Sequence, residues 1–355
     1  MKYDRVFIDA IGYELAPEVV TSRELEERLA PLYKSLGIQP GQLELMTGIT
    51  ERRFWEPGFV VSGGAARAAE HALAMSPVTS MDLGALVYTG VCRDGFEPAT
   101  ACHVAAKLRT GGHPLSPTAH IYDISNACLG MLNGMIDIAN RIELGQIRAG
   151  MVVSCESARE IVDTMIDRML GERDMELFKT SIATMTGGSA AAAIILTDGS
   201  FDHAESHRPH RLLGGVSLSA PEWHDLCRWG IEAAPESGTY RQFMSTDAPE
   251  VLAHGVALGQ DTWRAFLDEL GWAKGVERTV CHQVGRSHRE TILRSIGVPE
   301  ENDFVAYEYL GNTGTVALPI AAALAGEREF LEAGHRVGFL GIGSGLNCTM
   351  LGVEW

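Results

Sequence analysis

Hydrophobic and polar positions follow the same order twice along the chain. In the first series, apolar runs over residues 85–91 and 151–155 flank a long amphipathic stretch. In the second series, apolar runs over residues 278–282 and 337–341 flank the helical pattern of residues 316–325. Short apolar runs bounded by polar turns predict strands, and apolar positions three or four residues apart predict helices. Each series therefore predicts a strand–helix–strand unit.

Two asparagines strengthen the correspondence between the two series. Asn126 and Asn312 open the helical patterns, and they lie 25 residues before Met151 and Val337, which begin the following strands. Equal spacing of equivalent elements indicates an internal duplication of an α/β unit. If the two units pack back to back, the helix starts near Asn126 and Asn312 become pseudo-symmetric partners.

The join between the units is predicted at residues 197–211, where Asp-Gly-Ser and a His/Arg/Pro cluster interrupt the periodicity. Each unit ends in a further apolar run, at residues 190–196 and 348–353. The sequence thus predicts an α/β protein with an N-terminal half at 1–198 and a C-terminal half at 199–355.

Composition narrows the class of protein. The chain has 355 residues, 46% of them hydrophobic, with 39 glycines, so it can bury a large core and make many tight turns. A net charge of −17 argues against nucleic acid or an anionic membrane as a partner. Seven irregularly spaced cysteines do not indicate a disulfide framework, and none has convincing zinc spacing. We expect no metal.

The start of the chain gives no sign of export. Residues 1–5 carry charges and run directly into strand-like residues 6–8, without the apolar core of a signal peptide. The longest apolar run, residues 190–196, is far shorter than a membrane span. These features predict a cytoplasmic protein with no stable membrane insertion.

Cys128 is the strongest candidate for chemistry. It lies in Asp-Ile-Ser-Asn-Ala-Cys-Leu-Gly-Met, residues 123–131, where a strand should turn into a helix. Free backbone N–H groups and the helix dipole at such a position stabilise a thiolate, which is suited to acyl transfer through a thioester. The alternative is that Cys128 is a small buried apolar residue, as many cysteines are.

His282 and Asn312 are candidates for the same site. His282 ends a predicted strand, and Asn312 precedes a helical stretch. Ligands of α/β proteins gather at strand ends and helix starts, so these residues could face one cleft with Cys128. A loop histidine and a helix N-cap are the ordinary alternatives. The glycine run at residues 341–345 follows its helix rather than preceding it, so we interpret it as a turn near the ligand and expect no nucleotide cofactor.

Together these residues, the duplication and the final glycine loop resemble the thiolase superfamily, and within it the ketoacyl synthase III branch. The chain is most similar to the OleA-like condensing enzymes of olefin biosynthesis. The similar segments are residues 48–53, 93–101, 123–131, 281–284 and 341–348. The resemblance covers essentially the whole chain. It implies a layered α/β/α/β/α fold and a homodimer in which each subunit helps to line the other's pocket.

Glu97 separates two branches of this family. Malonyl-using synthases typically carry a phenylalanine at the matching position, whereas the glutamate of OleA-like enzymes reaches across the dimer interface as the catalytic base. The alternative for Glu97 is a surface carboxylate beside a proline. Gly285 also departs from the malonyl-using pattern, which usually has an asparagine there.

The resemblance implies a reaction with defined roles. Cys128 would accept an acyl group from one fatty acyl-CoA, and Glu97 of the other subunit would take the α-proton of a second. His282 and Asn312 would hold the enolate oxygen, and the backbone N–H groups of Cys128 and Gly345 would hold the thioester oxyanion. The product would be a 2-alkyl-3-oxoacyl compound. The alternatives are a malonyl-dependent ketoacyl synthase III and a noncatalytic subunit of a heterodimeric synthase.

Substrate contacts are less well defined. Ketoacyl synthase III proteins grip the CoA nucleotide with a tryptophan and an arginine, and the corresponding residues 42–46 contain neither. Arg286 could contact the CoA or carrier entrance, or be a plain surface arginine. Residues 161–185 are rich in methionine and predict an amphipathic cap on the core. By the resemblance they also border the acyl channel, where methionine adapts well to a medium or long alkyl chain.

Overall fold

The computed structural model describes residues 1–203, 208–234 and 238–355. The strands are β1 Phe7–Leu15, β2 Glu18–Thr21, β3 Glu51–Phe54, β4 Leu83–Tyr88, β5 His120–Asp123, β6 Ala149–Glu156, β7 Ala190–Thr197, β8 His210–Ser219, β9 Cys227–Ala234, β10 Thr239–Thr246, β11 Arg278–Cys281, β12 Arg336–Gly343 and β13 Asn347–Glu354. The α-helices are α1 Ser22–Leu36, α2 Gln42–Thr47, α3 Val61–Met75, α4 Thr100–Thr110, α5 Gly130–Glu143, α6 Arg159–Glu172, α7 Met175–Ser181, α8 Ala248–Leu270, α9 Arg286–Ile296, α10 Tyr307–Leu310 and α11 Ala317–Glu327. Within these described ranges, no helix is long and apolar enough to cross a membrane.

The duplication is visible in the order of the strands. One nine-stranded sheet runs β11-β12-β13-β8-β1-β7-β6-β4-β5. Two residue pairs between β1 and β8 join its two sides. On one side the order is β1-β7-β6-β4, and on the other it is β8-β13-β12-β11, with β4 parallel to β6 and β11 parallel to β12. The predicted boundary after residue 198 stays a prediction, because residues 204–207 of the join lie outside the described residues.

Helices separate the two sides into layers. Helix α3 packs on β1, β6 and β7, and α8 packs on β8 and β13. Between the sides lie α5, against β6 and β7, and α11, against β1, β7 and β11. Every residue of α11 from Ala317 to Ala325 is buried, because this helix is covered from both sides. The predicted α/β/α/β/α arrangement is confirmed.

The two inner helices begin in the same way. A 3₁₀ turn precedes each of them, Ala127–Leu129 before α5 and Gly314–Val316 before α11. Cys128 and Thr315 are the second residues of these turns, and the backbone N–H of Met131 donates to Thr315 Oγ1 at 2.7 Å. The pseudo-symmetric partner of the nucleophile turn is therefore the turn that contains Thr315.

The predicted pairing of Asn126 with Asn312 was wrong by one residue. Asn126 is the N-cap of its turn, and the corresponding N-cap of the second turn is Thr313. Equal distances to the next strand misled the comparison, because β6 begins at Ala149, two residues before Met151, whereas β12 begins at Arg336, one residue before Val337. Asn312 instead bridges to Gly187, and its side chain accepts a hydrogen bond from the N–H of Gly314 at 3.0 Å.

Candidate active site

A cavity of about 1160 Å³ opens where the two inner helices begin. Cys128, His282 and Asn312 all line it, although more than 180 residues separate the first from the last. Cys128 lies in the turn before α5, and Asn312 lies before the second turn. His282 directly follows β11, and its N–H donates to the carbonyl of Leu340 in β12 at 2.8 Å. The structure thus brings these three residues to one cleft, as the sequence predicts.

The turn that carries Cys128 is closely packed. Ala127 has a φ of 44°, in the left-handed region that a non-glycine residue adopts at a cost. A Cβ on Gly343 would lie 3.5 Å from the backbone nitrogens of both Cys128 and Leu129. A Cβ on Gly130 would lie 2.1 Å from the carbonyl oxygen of Thr89. Glycine is required at position 130, where the Thr89 backbone approaches the first residue of α5, whereas the Gly343 distances are ordinary van der Waals contacts.

The protonation of Cys128 differs from the prediction. Burial raises the pKa of the thiol to about 12, and the charges of Cys227 and Glu156 act in the same direction. The thiol's own backbone N–H lowers the pKa, as expected of a helix start, but desolvation is the larger effect. Burial therefore outweighs the stabilisation of a thiolate that the helix start provides. The thiol must lose its proton as it attacks.

His282 is held neutral. Burial lowers its pKa to about 4, and the nearby charge of His288 acts in the same direction. Among the described residues, Nδ1 of His282 has no hydrogen-bond partner. A neutral imidazole carries one N–H and one bare nitrogen, so His282 can donate one hydrogen bond into the cavity or accept a proton there.

Gln283 fixes the backbone on which His282 lies. This buried side chain makes four hydrogen bonds to backbone. Its Nε2 donates to Cys281 O at 2.9 Å and to Phe304 O at 3.1 Å, and its Oε1 accepts from Ala306 N at 3.0 Å and Tyr307 N at 3.1 Å. The partners at 304–307 belong to the segment that leads through α10 to Asn312. One amide thus sets the His282 loop against the Asn312 segment.

The sequence reasoning missed Glu156, a carboxylate that also lines the cavity. It ends β6, is 4% exposed, and accepts hydrogen bonds from the N–H groups of Val91 at 3.0 Å and Cys92 at 3.1 Å. Burial raises its pKa to about 7. The two backbone donors fix the orientation of the Glu156 carboxylate in the cavity wall. An acidic residue at the end of an otherwise apolar strand was the available signal.

Neutralising Glu156 should make Cys128 more reactive. Above about pH 7, where Glu156 is charged, Glu156→Gln removes a negative charge near the thiol, so the pKa of Cys128 should fall and more thiolate should be present. We expect iodoacetamide to alkylate Cys128 a few-fold faster, measured by intact-protein mass spectrometry. The matched control is Glu160→Gln, at a carboxylate that accepts a hydrogen bond from Ser157, and it should leave the alkylation rate of Cys128 unchanged. An unchanged alkylation rate in Glu156→Gln would show that the charge of Glu156 does not affect the pKa of Cys128.

Glu97 is the predicted site residue that this chain does not bring to the cavity. It is exposed, in the loop between β4 and α4, and is not among the residues that line the cavity. The neighbouring Phe96 is 95% exposed. The loop ends where the carboxylate of Asp123, at the end of β5, accepts from the N–H groups of Thr100 and Ala101, each at 2.9 Å. Within its own chain, Glu97 therefore lies outside the cavity that Cys128 lines.

Of the other two predicted contacts, Arg286 lines the cavity, whereas Gly345 is not itself a lining residue. Gly345 has a φ of 136° in the loop between β12 and β13, and its neighbours Ser344 and Leu346 line the cavity. Arg286 begins α9, lines the cavity and is exposed. A Cβ on Gly48 would lie 3.0 Å from Nε of Arg286, so the arginine lies against bare backbone.

Residues 161–185 divide between the core and the cavity. Met165 and Met169 are buried in a cluster with α1, so the expectation that methionines face the acyl channel was wrong for these two. The cavity is lined instead by Ile161, Phe178 and Ile182. The helical period places Met165 and Met169 on the face of α6 that packs against α1.

A duplicated, layered fold with a cysteine, a histidine and an asparagine around one cavity defines a condensing enzyme of the thiolase superfamily. The model of the 3-oxoacyl-[acyl-carrier-protein] synthase III C-terminal domain matches residues 267–355. An acyl-CoA:acyl-CoA alkyltransferase of Shewanella oneidensis is 55% identical over 356 residues, covering 100% of both chains. One of the same name from Xanthomonas campestris is 34% identical over 357 residues, also covering 100% of both.

Solved structures agree with these relatives. OleA of Xanthomonas campestris with bound cerulenin has a TM-score of 0.91 and 34% identity, covering 100% of this chain and 98% of that one. A variant of that enzyme with bound lauric acid and lauroyl-CoA has a TM-score of 0.90 and 34% identity, covering 99% and 100%. The chain belongs to the acyl-CoA:acyl-CoA alkyltransferase family, in the ketoacyl synthase III-like branch of the thiolase superfamily.

Proposed function

We propose that this protein joins two fatty acyl-CoA molecules by non-decarboxylative Claisen condensation. The observation that carries the proposal is one cavity lined by Cys128, His282 and Asn312, in a chain similar over its full length to two acyl-CoA:acyl-CoA alkyltransferases. Cavities of ligand sites are usually up to about 1,000 Å³. This cavity, at about 1160 Å³, leaves room for an alkyl chain beside the reacting thioester.

The reaction has two steps. The sulfur of Cys128 attacks the first acyl-CoA, its proton passes to a base, and CoA leaves as the free thiol, so the acyl group becomes a Cys128 thioester. A base then removes the α-proton of the second acyl-CoA, and the enolate carbon attacks the thioester carbonyl. The carbon–sulfur bond breaks, Cys128 regains a proton, and a 2-alkyl-3-oxoacyl-CoA is released.

Oxyanions form in both steps, and the chain supplies donors for them. The N–H of neutral His282 and the side-chain amide of Asn312 hold the enolate oxygen. The backbone N–H groups of Cys128 and Gly345 hold the oxyanion that forms on the thioester. Fixed donors of this kind act strongly in a site that excludes water. The apolar walls of the cavity, including Phe178 and Phe243, support that exclusion.

The base is Glu97 of a second copy of the chain. A homodimer is supported by the edge strand β5, which within the described residues is hydrogen-bonded to β4 alone. Phe96 and Glu97 are exposed and shortly precede α4, whose first two N–H groups donate to Asp123 at the end of β5. Antiparallel pairing of two β5 edges about a two-fold axis carries each Glu97 loop toward the other subunit.

Arg286 receives the CoA phosphates at the mouth of the cavity. Its guanidinium is exposed at the rim, and Lys179 and Arg228 also line the cavity. Lys179 is paired with Glu176 at 2.6 Å, so the exposed guanidinium of Arg286 is the charge proposed to attract the polyanionic nucleotide despite the acidic charge of the whole chain. The acyl chain then enters past the apolar wall.

One incubation tests the proposal against a malonyl-dependent ketoacyl synthase III. Pure protein with one saturated acyl-CoA and no malonyl donor should release CoA and form a condensed β-keto product, detected by mass spectrometry. A strict requirement for a malonyl donor would favour the decarboxylating alternative.

Asn312→Ala should impair condensation more than acylation. Removing one oxyanion donor lowers a rate by roughly 10²–10³. Single-turnover measurements should therefore show a Cys128 adduct forming at a near-normal rate and then reacting with the second acyl-CoA at least about 10²-fold more slowly. Condensation at the wild-type rate would leave Asn312 with the role of capping Gly314 alone.

A further inference from the structure

A side-chain amide bridge joins the turn that carries Cys128 to the glycine loop that follows β12. Nδ2 of Asn347 donates to Oδ1 of Asn126 at 3.1 Å, and it also lies 3.5 Å from the carbonyl oxygen of Ser344. Nδ2 of Asn126 donates in turn to Oδ1 of Asn133 at 2.6 Å. These three amides are partly buried and orient one another, which fixes the direction of each.

The bridge connects the two parts of the candidate oxyanion hole. Asn126 is the N-cap of the turn that contains Cys128, and Asn347 begins β13 directly after the loop that contains Gly345. A Cβ on Gly345 would lie 2.5 Å from Nδ2 of Asn347, so the amide lies directly beside the Gly345 backbone. The two asparagines are 221 positions apart and belong to different halves of the molecule.

We propose that the hydrogen bond between Asn126 and Asn347 sets the separation of the backbone N–H groups of Cys128 and Gly345, and that both asparagines are positioning residues of the oxyanion hole. This inference rests on the proposed function, which places the thioester oxyanion between those two N–H groups. Useful donors must lie 2.7–3.1 Å from the oxyanion. A misplacement of about 1 Å can cost on the order of 10² in rate.

The test compares two reactions of the same thiol. Acyl transfer from acyl-CoA forms an oxyanion at a carbonyl carbon, whereas iodoacetamide is attacked at a saturated carbon, releases iodide and forms no oxyanion. Asn126→Ala and Asn347→Ala should each slow single-turnover acylation of Cys128 by about 10- to 100-fold. The rate of alkylation should stay within about two-fold of wild type, because it depends on the ionisation of the thiol and not on the oxyanion hole.

Further variants separate positioning from damage to the fold. The double variant should acylate no more slowly than the slower single variant, because both changes break one bridge. Asn347→Leu keeps a similar side-chain volume without adding charge but cannot donate to Oδ1 of Asn126, and it should show the same loss of acylation with alkylation unchanged. Asn140→Ala is the matched control, since it removes an asparagine on α5 whose Oδ1 accepts from the hydroxyl of Tyr3 at 3.0 Å.

Three outcomes would overturn the inference. These are wild-type acylation in the single variants, an equal fall of acylation and alkylation, and losses that add independently in the double variant. The wild-type protein tests the proposed function separately. If it forms no acyl adduct, the proposed function fails, and if it acylates and condenses while the variants keep its rates, the positioning role alone fails.

Discussion

Replacing Cys128 with alanine should abolish acyl transfer, because no other group in the mechanism forms the thioester. Mixing wild-type protein with acyl-CoA should give an adduct with the mass of the acyl group, and Cys128→Ala should give none. Loss of a covalent nucleophile lowers turnover by several orders of magnitude. Intact-protein mass spectrometry followed by peptide mapping is the direct measurement.

The cavity provides its own control for this experiment. Cys227 lines the same cavity and its charge is felt by Cys128, so it is the thiol most able to capture an acyl group by chance. Cys227→Ala should keep the adduct, and peptide mapping of the wild type should place the acyl group on Cys128. An adduct that persists in Cys128→Ala and disappears in Cys227→Ala would transfer the role to Cys227.

Glu97→Gln should stop the reaction after the first step. The glutamine keeps the size and polarity of the side chain but cannot accept the α-proton, so Cys128 should acylate normally and condensation should fall by about 10²–10⁴. The readouts are the amount of acyl adduct and the yield of β-keto product in one incubation. Efficient condensation by this variant would exclude Glu97 as the base.

A mixture of variants tests whether Glu97 acts across the dimer. Co-expressed Glu97→Gln and Cys128→Ala subunits should regain about a quarter of wild-type activity, because about half of randomly formed dimers are mixed and each has one complete site. The matched control replaces Cys128→Ala with the double variant Cys128→Ala/Glu97→Gln, and its mixture should stay inactive. If Glu97 served its own subunit, neither mixture would regain activity.

The sequence could predict Cys128, His282 and Asn312 because each follows from a local rule. A strand ends, a turn follows, and a helix begins, so the polar residue at each junction falls at the same edge of a sheet. The register of the two halves was harder to obtain. The spacing matched Asn126 to Asn312, but β6 begins two residues before Met151 and β12 only one residue before Val337, and the structure pairs Asn126 with Thr313.

The sequence by itself determined the α/β class, the duplicated elements and the type of chemistry, because hydrophobic periodicity and residues at element ends are local properties. Tertiary structure decided the protonation of the site. Burial, which no local pattern specifies, keeps the Cys128 thiol protonated, holds His282 neutral and raises the pKa of Glu156 to about 7. It also decided contacts such as that between Asn126 and Asn347, since only packing of the two halves brings residues 221 positions apart within hydrogen-bond distance.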